Sequence, residues 1–261
     1  FLDLLYTEEE RPIVAQFFTS NPDHMREAAS LAKDLGFDGV DINMGCPYKS
    51  IEKQGAGAAM MKNPALARAI IHAAKEGARG LPVSVKTRIG YNKVELETWL
   101  PEILKEEPAV VTIHARTRKE MSKVVARWEY VRRAVEIRNE MKSETLIFGN
   151  GDALDLSDAR EKVRETGCDG VMLGRAIFGN PWLFKEGYAP SMEEKLLTLA
   201  EHIELFDTLL GHEKSFAIMK KHFKAYVKDF DGAADLRAVL MACEDASGAV
   251  QTIQEYLKKE K

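Results

Sequence analysis

The chain has 261 residues, 45% of them hydrophobic, enough for one large core or for a large domain with a smaller companion. Its formal net charge of -4 and pI near 6.0 exclude a globally basic nucleic-acid binder, so any such role falls to a local basic surface. Three scattered cysteines, Cys46, Cys168 and Cys243, form no metal-like pair and point to a reducing compartment, the cytoplasm, and with no apolar run long enough for a bilayer neither a metal nor a membrane is expected as a partner.

The chain opens on a helix-like segment over 1–10, apolar at first and acidic over 7–10. Pro12 leads into a strand over 13–18, and Asn21-Pro22-Asp23 starts a helix that Gly36 ends. A strand over 39–43 follows, then a loop with Gly45-Cys46-Pro47 and Gly55-Ala56-Gly57. Asn63-Pro64 caps a helix over about 65–76, and 82–88 reads as a strand. An amphipathic helix over 94–106, a strand over 110–115, a very basic segment over 116–127 and a helix over 128–141 come next. Strands over 146–150 and 170–174 flank a helix that Asp155 or Ser157 caps. From 192 onward there is no strand signal, only about four helices, over 192–210, 214–230, 234–242 and 246–259.

Strand then helix, repeated without a hairpin signal, predicts parallel βαβ units of an α/β fold, a TIM-type (β/α) barrel. Roughly six such strands are visible where a closed barrel has about eight. The expected domains are a (β/α) barrel over 1–188 and a helical domain over 189–261.

Each apolar strand ends on polar residues: Gln16, Asn43, Lys86 and Arg88, His114 and Arg116, Asn150 and Asp152, Gly174 and Arg175. One such end would be an ordinary solvated loop start, but six in register mark the face on which such barrels work. The amides of Gln16, Asn43 and Asn150 suit the edge of a heterocycle. Lys86, a cation leaving a buried strand, needs a partner or a charged ligand. Gly149-Asn150-Gly151-Asp152 and Gly174-Arg175 fit a phosphate, because glycines admit backbone N–H groups and Arg175 completes the grip. Together these features point to a phosphorylated planar cofactor such as FMN. No G-x-G-x-x-G follows a strand, so a Rossmann dinucleotide site is a poor reading.

The segment "DINMGCPYKSIEKQGAGAAMMKNP" resembles the signature of the tRNA-dihydrouridine synthase family, and "VSVKTRIGY", "TIHARTR", "IFGNGDA" and "DGVMLGRAIFGNPWLF" are similar to its later strands in the same order. The resemblance implies a flavin-dependent barrel with a helical C-terminal domain. NADPH reduces the FMN, hydride passes to C6 of a tRNA uridine, and a cysteine protonates C5. It places Cys46 as that proton donor, and Gln16, Lys86 and His114 around the isoalloxazine ring. Asn150, Gly151, Asp152, Gly174 and Arg175 fall at the ribityl and phosphate end, and Asn43, Lys49, Arg88 and Arg116 along the uridine pocket or RNA path. A thiol suits the acid role, since it holds its proton at neutral pH and releases it readily to a carbanion.

Two departures follow from the same resemblance. The family's first two strands are missing, and 1–6 corresponds to the helix before the third. After Arg116-Thr117-Arg118 the chain has Glu120 to Arg127 where relatives have glycines and small residues, and its arginines and lysines offer a track for RNA phosphates. In the tail, Phe216, Met219, Phe223, Val227 and Phe230 form an apolar stripe, with Lys220, Lys221, Lys224 and Lys228 on another side. Two other readings stay open: a flavin barrel acting on a free pyrimidine, like a dihydroorotate dehydrogenase, and a non-catalytic RNA-binding relative.

Overall fold

The computed structural model describes residues 2–259. Strands β1 (Val14–Phe17), β2 (Gly39–Asn43), β3 (Val83–Arg88), β4 (Val110–His114), β5 (Leu146–Asn150) and β6 (Gly170–Met172) lie side by side in chain order, and each adjacent pair is parallel. That sequential parallel order with a helix between strands is the (β/α) barrel arrangement, here as a six-stranded sheet. The connecting helices are α1 (Pro22–Asp34), the short α2 (Lys49–Glu52), α3 (Pro64–Ala78), α4 (Leu96–Leu104), α5 (Glu129–Glu140) and α6 (Leu156–Thr166).

Local chemistry sets the helix ends. Asn21, Asn63 and Asp155 accept the otherwise unpaired N–H groups of Asp23, Leu66 and Asp158, in two cases just before a proline that suits the first helical position. One core takes in the strands and the helices: Val40, Ile42, Val85, Val111, Ile113 and Ile147 are fully buried with Ile70, Ile71, Leu100 and Ile103. Each such aliphatic side chain contributes roughly 1.5–3 kcal/mol by leaving water. The expected helix over 1–10 is instead two single 3-10 turns, Leu2–Leu4 and Glu8–Glu10, because Glu10 folds back to accept from Thr7 N at 2.6 Å; Phe1 lies outside the described residues.

The chain divides into two compact units, 1–174 and 175–261. The division precedes the boundary expected at 188/189, since residues after Gly174 bond to the helical part. Phe178 packs its ring on His222, and Tyr188 donates to Glu194. The second unit holds α7 (Met192–Leu210), α8 (Lys220–Tyr226), α9 (Ala233–Ala242) and α10 (Ala246–Lys259) around a core of its own. Met219, Phe223 and Val227 of the expected stripe are buried there. The single helix expected over 214–230 is a 3-10 turn, Phe216–Ile218, followed by the shorter α8. Arg237 Nη1 donates to the Val227 carbonyl at 2.7 Å, and the backbone leaves the helix at that residue (φ -90°, ψ 81°). No helix among the described residues is long and apolar enough to cross a membrane.

Candidate active site

Residues paired in a parallel register point to the same side of the sheet. The register pairs Gln16 with Asp41, Asn43 with Lys86, Arg88 with His114, and His114 with Asn150. All of these therefore line one face at the C-terminal strand ends, and Val40, Ile42, Val85, Val111 and Ile113 occupy the other face, inside the core. A fully buried parallel strand is apolar on both sides. Here one side is polar at its C-terminal strand ends instead, and that is the signature of a lined site.

The first three strands share a hydrogen-bonded chain. Ser84 Oγ donates to Asp41 Oδ1 at 2.5 Å, Gln16 Nε2 donates to Asp41 Oδ2 at 2.7 Å, and Asn43 Nδ2 donates to Gln16 Oε1 at 3.0 Å. Asn43 Oδ1 accepts from the backbone N–H groups of Gly45 (3.1 Å) and Cys46 (3.0 Å). Asn43 thus fixes the turn that presents Cys46. On the far side of the loop, Ala58 N donates to Cys46 O at 2.9 Å. Gly57 sits at φ +61°, and a Cβ there would come within 2.8 Å of the Cys46 carbonyl, so only glycine closes the loop. Cys46 is a free, half-buried thiol.

Arg88, expected along the uridine or RNA path, is buried. It donates to Gly45 O (2.7 Å), Thr117 O (3.2 Å) and Met121 O (3.0 Å) and so ties the Cys46 loop to the loop after β4. Burial, then the nearby Arg116, push its pKa down to about 10, which still leaves it charged at neutral pH. Lys86 is lowered too, first by burial and then by Arg88, with Asp41 and Cys46 opposing. Among the described residues its ammonium has neither a hydrogen bond nor an ion pair.

Arg116, also expected on the RNA path, is 3% exposed. Its guanidinium pairs with Asp152 and donates to Val124 O at 2.7 Å and to His114 Nε2 at 3.1 Å. A guanidinium only donates, so His114 Nε2 accepts and the ring proton sits on Nδ1. Burial first, then Arg88, Lys86 and Arg116, hold the His114 pKa down to about 3. The ring is therefore a neutral Nδ1–H donor throughout the physiological range. Between its folded pKa and the ordinary 6.5 the unfolded chain binds a proton that the folded ring refuses. The stability from neutral His114 is thus complete above pH 6.5 and is lost as pH falls toward 3. Urea midpoints should fall from about pH 7 to pH 5 more steeply in the wild type than in His114→Gln. An imidazole NMR titration near the ordinary value would contradict the assignment.

At β5 the side chain of Asn150 donates to Met172 O at 2.8 Å, and Trp128 Nε1 donates to Gly151 O at 2.9 Å. The Trp128 ring lies where a Cβ on Gly149 would be, 2.2 Å away, so this strand end and the tryptophan require each other. Asp152 takes φ +56° and also accepts from Ala126 N at 2.9 Å. Gly174 and Arg175 are exposed, one closing the first unit and the other opening the second. Lys49 is exposed at the start of α2. The basic segment after β4 turns its arginines inward: Arg118 to Glu52, Arg127 to Glu120 (2.8 Å) and Arg116 to Asp152. Its exposed cations are Lys119 and Lys123. Sequence reasoning passed over Asp41 and Ser84; the available signal was a charge inside a buried strand, which needs partners. No group of three or more potential metal ligands occurs among the described residues.

A family model described as "Dihydrouridine synthase (Dus)" matches residues 1–261. The chain is 39% identical over 256 residues to a "Probable tRNA-dihydrouridine synthase" of Staphylococcus aureus (strain COL), covering 97% of this chain and 77% of that protein. It is also 39% identical over 259 residues to "Probable tRNA-dihydrouridine synthase 2" of Bacillus subtilis (strain 168), covering 98% and 79%. The chain belongs to the dihydrouridine synthase family. A solved 2,3-dimethylmalate lyase is a much looser likeness, 16% identical with a TM-score of 0.47 over 77% of this chain and 82% of that one. As a dihydrouridine synthase family member, the chain carries its half-buried thiol on the loop after β2, with a neutral imidazole on β4 and, on β3, a lysine that has no hydrogen bond or ion pair among the described residues.

Proposed function

We propose that this chain reduces uridines in tRNA to 5,6-dihydrouridine, using FMN with NADPH as the reductant. The observation that carries the reading is Lys86. It is a cation drawn into the polar face, lowered by burial, within electrostatic range of Cys46, and without a hydrogen bond or ion pair among the described residues. Burying such a group is costly unless a ligand meets it. The electron-rich carbonyl edge of a flavin is the right chemistry, and the Nδ1–H of His114 is a second donor of the same kind.

When bound, FMN supplies hydride equivalents that NADPH renews. The chain's residues do the rest. Gln16, Lys86 and His114 would hold the ring, and Asn150, Gly151, Asp152, Gly174 and Arg175 the ribityl and phosphate end. Cys46 donates its proton to C5 of the pyrimidine, and solvent restores it. Asn43 positions that thiol through two backbone N–H groups. Lys49 lies on the RNA side of the same loop. Arg88 and Arg116 act from within, one on the loop backbone and one on His114. The helical unit offers Lys221 and Lys224, both exposed, to the tRNA backbone. A tRNA partner also fits a cytoplasmic location.

FMN titrated into the protein should quench its fluorescence saturably, and Lys86→Met should weaken that binding by about tenfold or more. No saturable binding by the wild type would overturn the reading. Turnover with dihydroorotate and none with tRNA would favour a barrel acting on free pyrimidines.

A further inference from the structure

We propose that Glu52 and Arg118 form a latch that positions the Cys46 loop for its reaction. Glu52 ends α2, six residues beyond Cys46, and Arg118 lies on the loop after β4. Arg118 Nε donates to Glu52 Oε1 at 2.7 Å and its Nη2 meets Oε2, a two-pronged pair. Their side chains are 23% and 10% exposed, low for charges on two loops, so solvent and salt screen the pair weakly.

The two halves of the latch are held unequally. Arg118 sits on a fixed base: its backbone N–H donates to Gly90 O at 2.9 Å, the next N–H donates to Tyr91 O at 2.9 Å, and its guanidinium lies 5.1 Å from the centre of the Tyr91 ring. Lys62 Nζ stands 3.9 Å from the same ring centre. Glu52 has no such base. A four-residue helix is far too short to hold itself, so α2 depends on what grips it. Besides the Glu52–Arg118 pair, the described polar contact from 48–55 to a distant element is the Ser20 hydroxyl on Gln54 O. Arg88 and Asn43 hold the start of the loop, and Arg118 holds its middle. With the latch open, Tyr48 to Gln54 are free to swing, so the thiol, its backbone still held by Asn43 and Ala58, loses its neighbour Ile51 and is uncovered.

The structural half of this inference stands alone, and its catalytic half rests on Cys46 being the acid. Iodoacetamide alkylation, followed by mass spectrometry peptide by peptide, tests both with the buried Cys168 as an internal control. Glu52→Gln and Arg118→Gln should each raise the Cys46 rate about tenfold while Cys168 stays slow, and the charge-swapped pair Glu52→Arg with Arg118→Glu should return it toward wild type. If either variant alkylates at both cysteines it has lost its fold, and Arg118→Lys, which keeps the charge and loses the second prong, takes its place with a smaller rise. Wild-type Cys46 rates in both single variants would overturn the latch. Oxidation of the pre-reduced protein by tRNA should slow about tenfold in the variants, with FMN affinity unchanged. A faster Cys46 alkylation with undiminished tRNA turnover would overturn the catalytic half and leave the latch as a loop clamp, the acid role of Cys46 being decided separately by Cys46→Ala.

Discussion

Cys46→Ala is expected to lower uridine reduction by on the order of 10²–10⁴-fold, the usual worth of a positioned proton donor, while FMN binding remains at the wild-type level. The separation follows from the site's layout. Cys46 sits on the loop after β2, held by backbone contacts from Asn43 and Ala58, whereas the groups assigned to the ring stand on β1, β3 and β4. Removing one sulfur leaves the turn intact, because Asn43 grips the N–H of residue 46 whatever its side chain. Reduction by NADPH should therefore proceed normally, and oxidation by tRNA should stall. Cys46→Ser tests the acid role further, since a hydroxyl gives up its proton far less readily than a thiol. Wild-type turnover in Cys46→Ala would end the assignment.

Arg116→Met is expected to cost about 3 kcal/mol of stability, read as a lower urea midpoint at unchanged slope. The 3%-exposed guanidinium serves Asp152, the Val124 carbonyl and His114 at once. Taking it away removes the guanidinium from Asp152 and leaves His114 Nε2 without its donor. The lower end of the range for broken buried pairs applies, because the Asp152 side chain is 30% exposed and water recovers part of the loss. Asp152→Asn added to Arg116→Met should recover part of the cost, since the carboxylate charge that the guanidinium met is then removed as well. The His114 pKa should rise once this cation is gone, yet stay below its ordinary value, because burial is the larger cause. Surface behaviour at Arg116, with loss of tRNA affinity and no loss of stability, would contradict its placement.

Much of this frame was legible in the sequence. Branched apolar residues marked β2, β3 and β4, Asn-Pro pairs marked the starts of α1 and α3, and the polar residue closing each strand marked the working face. Long-range pairing was hidden. The arginines of 116–127 read as a phosphate track because Asp152 and Glu52, which neutralise Arg116 and Arg118, lie 36 and 66 residues away. The network of Asp41 and Ser84 was missed for the same reason, since its hydrogen bonds cross between strands that only the fold brings together. The end of α8 was set by a tertiary bond from Arg237 to the Val227 carbonyl, which overrides a helical pattern that continues to Phe230.

The most direct test of the central claim is the reaction run in deuterated water with unmodified tRNA, FMN and NADPH, followed by mass spectrometry of the nucleosides. Uridine should gain two hydrogens, with a solvent deuterium at C5 delivered through the exchangeable thiol of Cys46. No mass gain, or a C5 hydrogen that comes from NADPH, would contradict it.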